Sequence, residues 1–279
     1  MKYLVFYSGG IGSFWATKIL VDKYGKENVV ALFTDTNFED ESLYTFVNQT
    51  IEHLDIDLIW LKAPYNPLEL MEKQNVLYNN RMAECTKILK MRLAKSFINN
   101  RDYKILKKIY NLNELCIKGQ KYLYNFDKEN HIFVLGIDWT EAHRIEAPQR
   151  NWSPNKVIAP LIDDLKYDKQ LVFDYMGKNN IDVPLLYKLG FNHNNCGGRC
   201  IKAGQGHWIN VLKKYPERFN EMKKFENKMR IKIGDYSYLK KQTNCKKTTY
   251  TLEQLENDFK NKPEQLDLFD IGGCGCFLE

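Results

Sequence analysis

The chain has 279 residues, 44% hydrophobic and 27% charged, with a formal net charge of +6. That balance excludes a disordered or fibrous protein and suits one sizeable core with a smaller appendage. No apolar run approaches the roughly eighteen residues that cross a bilayer, and the first residues lack a basic-then-apolar pattern, so a cytoplasmic protein with no membrane partner is expected.

Strands and helices alternate through the first half. Tyr3–Tyr7 reads as a strand, followed by a helix to about Tyr24; Val29–Phe33 reads as a strand, followed by a helix from about Glu39 to His53; Asp57–Leu61 is a third strand. Ala83–Ile98 has helical character, His131–Asp138 is a fourth strand, Asn155–Asp163 a last short one, and Tyr167–Asn179 a helix. This order predicts an α/β fold with a five-stranded parallel sheet and helices on both faces, spanning 1–182 with an insertion at 99–130. After it, 183–279 reads as a mainly helical, cysteine-containing C-terminal region. Ligands of such sheets bind at the carboxyl ends of the strands.

Two turns fall on that edge. The first, within "LVFYSGGIGSFWATKIL", puts three glycines and two serines between a strand and a helix. Glycines let backbone approach a ligand, and a helix amino end offers amides to an anion, so this is a phosphate cradle or else a tight turn with a serine cap. The second is "TDTNFED" after the second strand. The G-x-x-x-x-G-K-[ST] phosphate motif is absent, which excludes that class of nucleotide hydrolase.

Seven cysteines in such a chain point to metal ligands, reactive thiols or buried small residues rather than disulfides. Cys196 and Cys200 form a C-x-x-x-C and Cys274 and Cys276 a C-x-C; Cys116 and Cys245 read as small apolar residues. His193 and His207 flank the first pair and read as hydrogen-bonded loop histidines, with Gln205 and Trp208 packing near it. Val211–Thr249 holds 12 Lys or Arg against 4 Asp or Glu, a surplus of 8 that suits either a polyanion such as RNA or DNA or a solvated helix face. From Thr251 onward the balance reverses, with 7 acidic and 2 basic residues.

The opening Ser8-Gly9-Gly10-Ile11-Gly12-Ser13 resembles the PP-loop of ATP pyrophosphatases and sulfonucleotide reductases. "DTNFEDESLYTFV" is similar to the family's second-strand motif near the adenosine, "RMAECTKILKMRLAKSF" to its cysteine-then-LK helix, "LGIDWTEAHRIEAPQR" to its G-x-R-x-x-E-S-x-x-R turn, and "PLLYKLGFNHNNCGGRC" to its P-x-L-Y-x-x-G-F followed by paired cysteines. The matches run in order over residues 1 to about 208. The chain is thus identified as a member of the PP-loop, phosphoadenosine phosphosulfate reductase-like group, which includes iron-sulfur DNA and tRNA sulfur-transfer enzymes. The fold this implies is Rossmann-like, of the HUP type.

The resemblance implies that Ser8, Gly9, Gly10, Gly12 and Ser13, with Thr34, Asp35 and Gly136, hold ATP or a sulfonucleotide. Ser8, Ser13, Lys90, Arg144 and Arg150 would stabilise charge growing on the leaving group. Gly12 stands where several pyrophosphatases have Asp, so Mg²⁺ would be held elsewhere, through Asp35. Asp138 stands near the place of the usual arginine, and the tail reads Gly-Cys-Gly-Cys-Phe rather than the reductases' Glu-Cys-Gly-aromatic. Cys85, Cys196 and Cys200, with Cys274 or Cys276, would hold a [4Fe-4S] cluster or zinc, the family favouring iron.

Three functions follow as expectations. The first is ATP-dependent adenylylation coupled to iron-sulfur-dependent sulfur transfer, with tRNA or DNA as acceptor on Lys213–Lys247 and a sulfur-donor protein as partner. The second is a phosphoadenosine or adenosine phosphosulfate reductase with Cys274 or Cys276 as nucleophile. The third is a nucleotide sensor without turnover.

Overall fold

The computed structural model describes all residues except 80–81, 102, 106–107, 165–166, 244–245, 262–269 and 271–279, and no side chains for 103–105, 108–110, 242–243 and 246–247. The chain runs β1 (Lys2–Phe6), α1 (Ile11–Tyr24), β2 (Val29–Asp35), α2 (Glu41–Leu54), β3 (Asp57–Lys62) and α3 (Pro67–Gln74). It continues through α4 (Arg92–Ile98), β4 (Tyr103–Ile105), β5 (Lys108–Tyr110), α5 (Leu112–Leu115), β6 (Cys116–Lys118), β7 (His131–Val134), α6 (Glu146–Trp152), β8 (Val157–Ile158) and α7 (Lys169–Lys178). It closes with α8 (Leu185–Lys188), α9 (Gln205–Lys214), α10 (Pro216–Ile233), β9 (Leu239–Thr243), β10 (Lys246–Tyr250) and α11 (Leu252–Asn261). Among the described residues, one compact unit comprises Met1–Pro64 and Thr86–Leu185, and a second comprises Tyr65–Cys85 and Leu186 to Asp270.

The first unit is built on a six-stranded sheet in the order β6-β3-β2-β1-β7-β8. The five strands β3, β2, β1, β7 and β8 are mutually parallel, as the alternating sequence requires; β6, from the 99–130 segment, adds an antiparallel edge to β3. Every residue of β2 is buried, the mark of a strand covered on both faces. On α1, Phe14, Ala16, Thr17 and Leu20 are buried, and Phe14 meets the edge of Phe46 from α2 at 5.8 Å between ring centroids. Gly25, at φ 84°, ends α1 in a backbone conformation that a side chain would disfavour.

Two sequence expectations change in detail. Asn155–Asp163 contains only the two-residue strand β8. The helix expected over Ala83–Ile98 is two pieces, a π-helical turn over Thr86–Met91 and then α4. A π-turn widens the ladder by one residue and so rotates the side chains that follow.

The second unit packs α9 and α10 with α11 and the β9–β10 hairpin. Trp208 is fully buried and stacks on Tyr238 at 6.0 Å, with Phe219 at 6.3 Å. Inside a segment whose lysines suggest helix alone, the antiparallel register Leu239↔Tyr250 through Thr243↔Lys246 makes a hairpin.

Candidate functional site

The loop after β1 is shaped by glycines that meet backbone and side chain at close range. Gly9 has φ +76°, and a Cβ there would lie 2.8 Å from Leu43 Cδ2. A Cβ on Gly12 would lie 2.8 Å from the carbonyl oxygen of Gly136, and one on Gly136 would lie 2.6 Å from the amide nitrogen of Ser13. Loop and β7 edge therefore touch backbone to backbone. Any side chain at position 12, a carboxylate included, would force that contact to open.

Ser13 Oγ donates to Gly10 O at 2.8 Å, and Ser8 Oγ donates to Ser13 Oγ while accepting from the Gly10 amide, both at 3.3 Å. The α1 amino end has Gly10 at its cap position and no side-chain cap. A fourteen-residue helix thus opens with unspent amides and the positive end of its dipole toward the carboxyl edge of the sheet. The serines brace the turn and leave that end open.

At the carboxyl end of β2, Asp35 is 5% exposed. Its Oδ1 accepts from the Asn37 amide at 2.7 Å and from Tyr44 Oη at 2.8 Å, while Asn37, at φ 55°, reaches across to Ala63 O at 2.7 Å. Burial first, and then Asp35, hold the Tyr44 hydroxyl well above its ordinary range. Beside this turn Lys90 Nζ lies 3.4 Å from Glu39 Oε1, with Thr36 Oγ1 donating to the same oxygen at 3.2 Å. Lys90 and Glu39 side chains are 5% and 1% exposed, so this is a buried ion pair, and the π-turn delivers the lysine to it. Thr34 is also buried, and its hydroxyl has no hydrogen bond among the described residues.

At the end of β7, Asp138 Oδ1 accepts from the Thr140 amide at 2.9 Å and caps a short 3₁₀ turn over Trp139–Arg144. Arg144 makes an ion pair with Glu141 on that same turn, and Arg150 lies exposed on α6. The carboxyl edge of the first unit thus brings together Ser8–Ser13 and Gly136 in one direct contact, and carries Thr34 and Asp35 on the neighbouring strand. Glu39, Asn37 and Tyr44 complete the β2 turn; the "TDTNFED" segment pointed to the turn but not to the pairing with Lys90.

In the second unit, Asn195–Gly198 make a tight turn in which Cys196, Gly197 and Gly198 have φ of 57°, 55° and 81°. Arg218 Nη1 donates to Gly197 O and His207 Nε2 to Gly198 O, each at 2.7 Å. The His193 and His207 rings stack at 5.1 Å. Cys85, Cys196 and Cys200 are thiols rather than disulfides, and Cys196 and Cys200 are buried. No group of three or more His, Cys, Asp or Glu side chains that could hold a metal ion forms among the described residues. The described members of the expected cluster set therefore do not by themselves fit a cluster, and Asp35 does not sit in such a group for Mg²⁺; Cys274, Cys276 and Cys245 lie outside the described residues. Cys116 is buried, its thiol pushed up to about 11 by that burial.

Part of the basic segment is matched, among the described residues, by carboxylates within its own unit. Lys223 pairs with Glu256, Lys228 with Glu72, Arg230 with Asp235 and Lys241 with Asp258. Among the described residues no helix is long and apolar enough to cross a membrane.

A family profile described as the phosphoadenosine phosphosulfate reductase domain matches residues 2–197. The chain belongs to that family. With membership comes a nucleotide-binding fold and a sulfonucleotide-related, enzymatic character. The match begins at β1 and ends within the Asn195–Gly198 turn, so it takes in the loop, the β2 turn and the β7 edge. Among solved structures the chain is similar to phosphoadenylyl-sulfate (PAPS) reductase from Candida auris in a phosphate complex, at 14% identity over 69% of this chain and 80% of that one, with a TM-score of 0.41. A comparison with curated proteins finds no match.

Proposed function

We propose that the chain is a sulfonucleotide reductase that seats the 5′-phosphosulfate of an adenine nucleotide on the amino end of α1. The observation that carries this reading is the contact of Gly12 with the Gly136 carbonyl, 2.8 Å from where a Cβ would stand. That contact crowds out a cation-binding carboxylate in the loop, whereas uncapped amides on a turn braced by the two serines suit an anion that leaves as a nucleotide monophosphate. In the reaction a thiolate attacks the sulfate sulfur, the sulfur–oxygen bond to the nucleotide breaks, and the nucleotide departs with the electron pair. A second thiol then attacks the first, releasing sulfite and leaving a disulfide. Cys274 and Cys276 are the proposed nucleophiles.

A second reading, adenylylation by ATP coupled to sulfur transfer, draws support from the buried thiols Cys196 and Cys200, for which the reductase chemistry has no use. A bound iron-sulfur cluster would supply sulfur chemistry there. No step is derived through it, because the described residues form no three-ligand group. Pairing of Lys223, Lys228, Arg230 and Lys241 with carboxylates weakens the basic segment as a nucleic-acid surface.

The two are separated by product. Purified protein is given adenosine 5′-phosphosulfate or its 3′-phosphorylated form with a dithiol reductant, and separately ATP with Mg²⁺. Sulfite from a sulfonucleotide, lost in Cys274→Ser with Cys276→Ser, is expected; pyrophosphate from ATP with no sulfite from either sulfonucleotide would overturn the reductase reading.

A further inference from the structure

The β2 turn bears on which adenine nucleotide the site takes. Asp35 is 5% exposed, and both of its hydrogen bonds, from the Asn37 amide and Tyr44 Oη, end on Oδ1. Oδ2 accepts none among the described residues and is not sealed from solvent, so this carboxylate has an oxygen that a ligand's donor can reach. In dinucleotide-binding doubly wound sheets an acidic residue roughly twenty positions after the glycine turn accepts from the ribose 2′-hydroxyl, beside the 3′ position, and Asp35 stands at that remove from the Ser8–Ser13 loop. The surrounding charge points the same way. Glu39 and Asp40 share the turn with Asp35, and buried Lys90 beside it lies against Glu39. The exposed Lys62, in register with Asp35 on β3, is the cation that could oppose this.

Resting on the reading of the loop as a nucleotide site, we infer that the pocket selects an adenine nucleotide whose ribose hydroxyls are both unphosphorylated. A hydroxyl supplies the donor that Asp35 Oδ2 lacks. A 3′-phosphate supplies only acceptors and would be brought, partly desolvated, against a carboxylate whose removal from the turn would cost Asn37 and Tyr44 their partner. Adenosine 5′-phosphosulfate is therefore the substrate class, in preference to its 3′-phosphorylated form.

The test is calorimetric titration of the full chain with AMP and with adenosine 3′,5′-bisphosphate. AMP is expected to bind about tenfold or more tightly, since like charges at short range cost that much or more. Asp35→Asn should shrink the preference to about twofold or less. Tyr44→Phe, which takes a hydrogen bond from Oδ1 and leaves the carboxylate charge, should keep the preference even where it weakens both nucleotides; this separates charge from damage to the turn. Equal binding, or tighter binding of the bisphosphate that falls in Lys62→Ala, would overturn the inference and leave the nucleotide site standing. Binding of neither nucleotide would overturn both.

Discussion

Two helix amino ends, one taken from each unit, differ in whether a side chain of the protein covers their amides. In the first, α1 opens on Gly10 with no side chain over its amides. In the second, α9 opens on Gly204 yet is closed from far along the chain: Asp270 Oδ2 accepts from the Gln205 amide at 3.1 Å and Asp270 O from the Gly206 amide at 2.8 Å. The amino end of α11 has a local capping box between Thr251 and Gln254, to which Glu226 adds from afar, its Oε2 accepting from the Leu252 amide at 2.7 Å and its Oε1 from that of Tyr238 at 2.8 Å. Where a carboxylate of the chain reaches a helix's first amides those amides are spent, whereas the α1 amides keep their capacity for the anion proposed above. The same physical group thus does opposite work according to what the sequence supplies to cover it.

The sharpest way to break the open end is to fill the contact behind it. Gly136→Ala would put a Cβ 2.6 Å from the Ser13 amide nitrogen and 2.7 Å from the Gly12 carbonyl carbon, with only backbone to give way. A cost of about 3 kcal/mol or more in unfolding free energy is expected, with loss of AMP binding, because the amides themselves would shift. Unchanged AMP affinity in a folded Gly136→Ala protein would show that the amino end of α1 is not the phosphate seat.

Glu226 sharpens the comparison from the closed side. It is fully buried on α10, and burial pushes its carboxyl up from 4.5 to about 7 against the pull of the Tyr238 and Leu252 amides and of Arg230. A group raised in the folded state contributes its stability fully below pH 4.5 and loses it as pH rises through about 7. The difference across that window is on the order of 3 kcal/mol. Denaturant titrations from about pH 4.5 to 8 should therefore show a declining contribution that Glu226→Gln flattens; the same slope in the variant would assign the pH dependence to other groups.

What the sequence made legible was local. Ser8–Ser13 lies between an apolar strand and a helix within one continuous stretch, so its chemistry could be read residue by residue, and Asp35 follows from the alternation that ends β2. Gly12 was legible only as a lost carboxylate, because the backbone it touches is that of Gly136, across the β1–β7 pairing. The Lys90–Glu39 pair was hidden by the π-turn, which breaks the 3.6-residue period on which helix reading depends. The β9–β10 hairpin was masked by its lysines, whose charge signals exposure in strand and helix alike. Asp270 and Glu226 carry no cap signature at all: a cap is recognised from residues beside the helix it closes, and these come from far outside that window.

The smallest expected effect concerns Asp270 and has a built-in partner. Asp270→Ala should cost about 1 kcal/mol, the usual worth of a helix cap, in the denaturation of the full chain. A Cβ on Gly204 would stand 2.1 Å from Asp270 Oδ1 and 2.3 Å from its carbonyl oxygen, so Gly204→Ala should displace Asp270 and cost at least as much. If the two changes act through the same contact, the double variant should cost clearly less than the sum, since with Asp270 shortened the new methyl loses its nearest obstacle. Strict additivity would mean that Asp270 does not close α9 in solution.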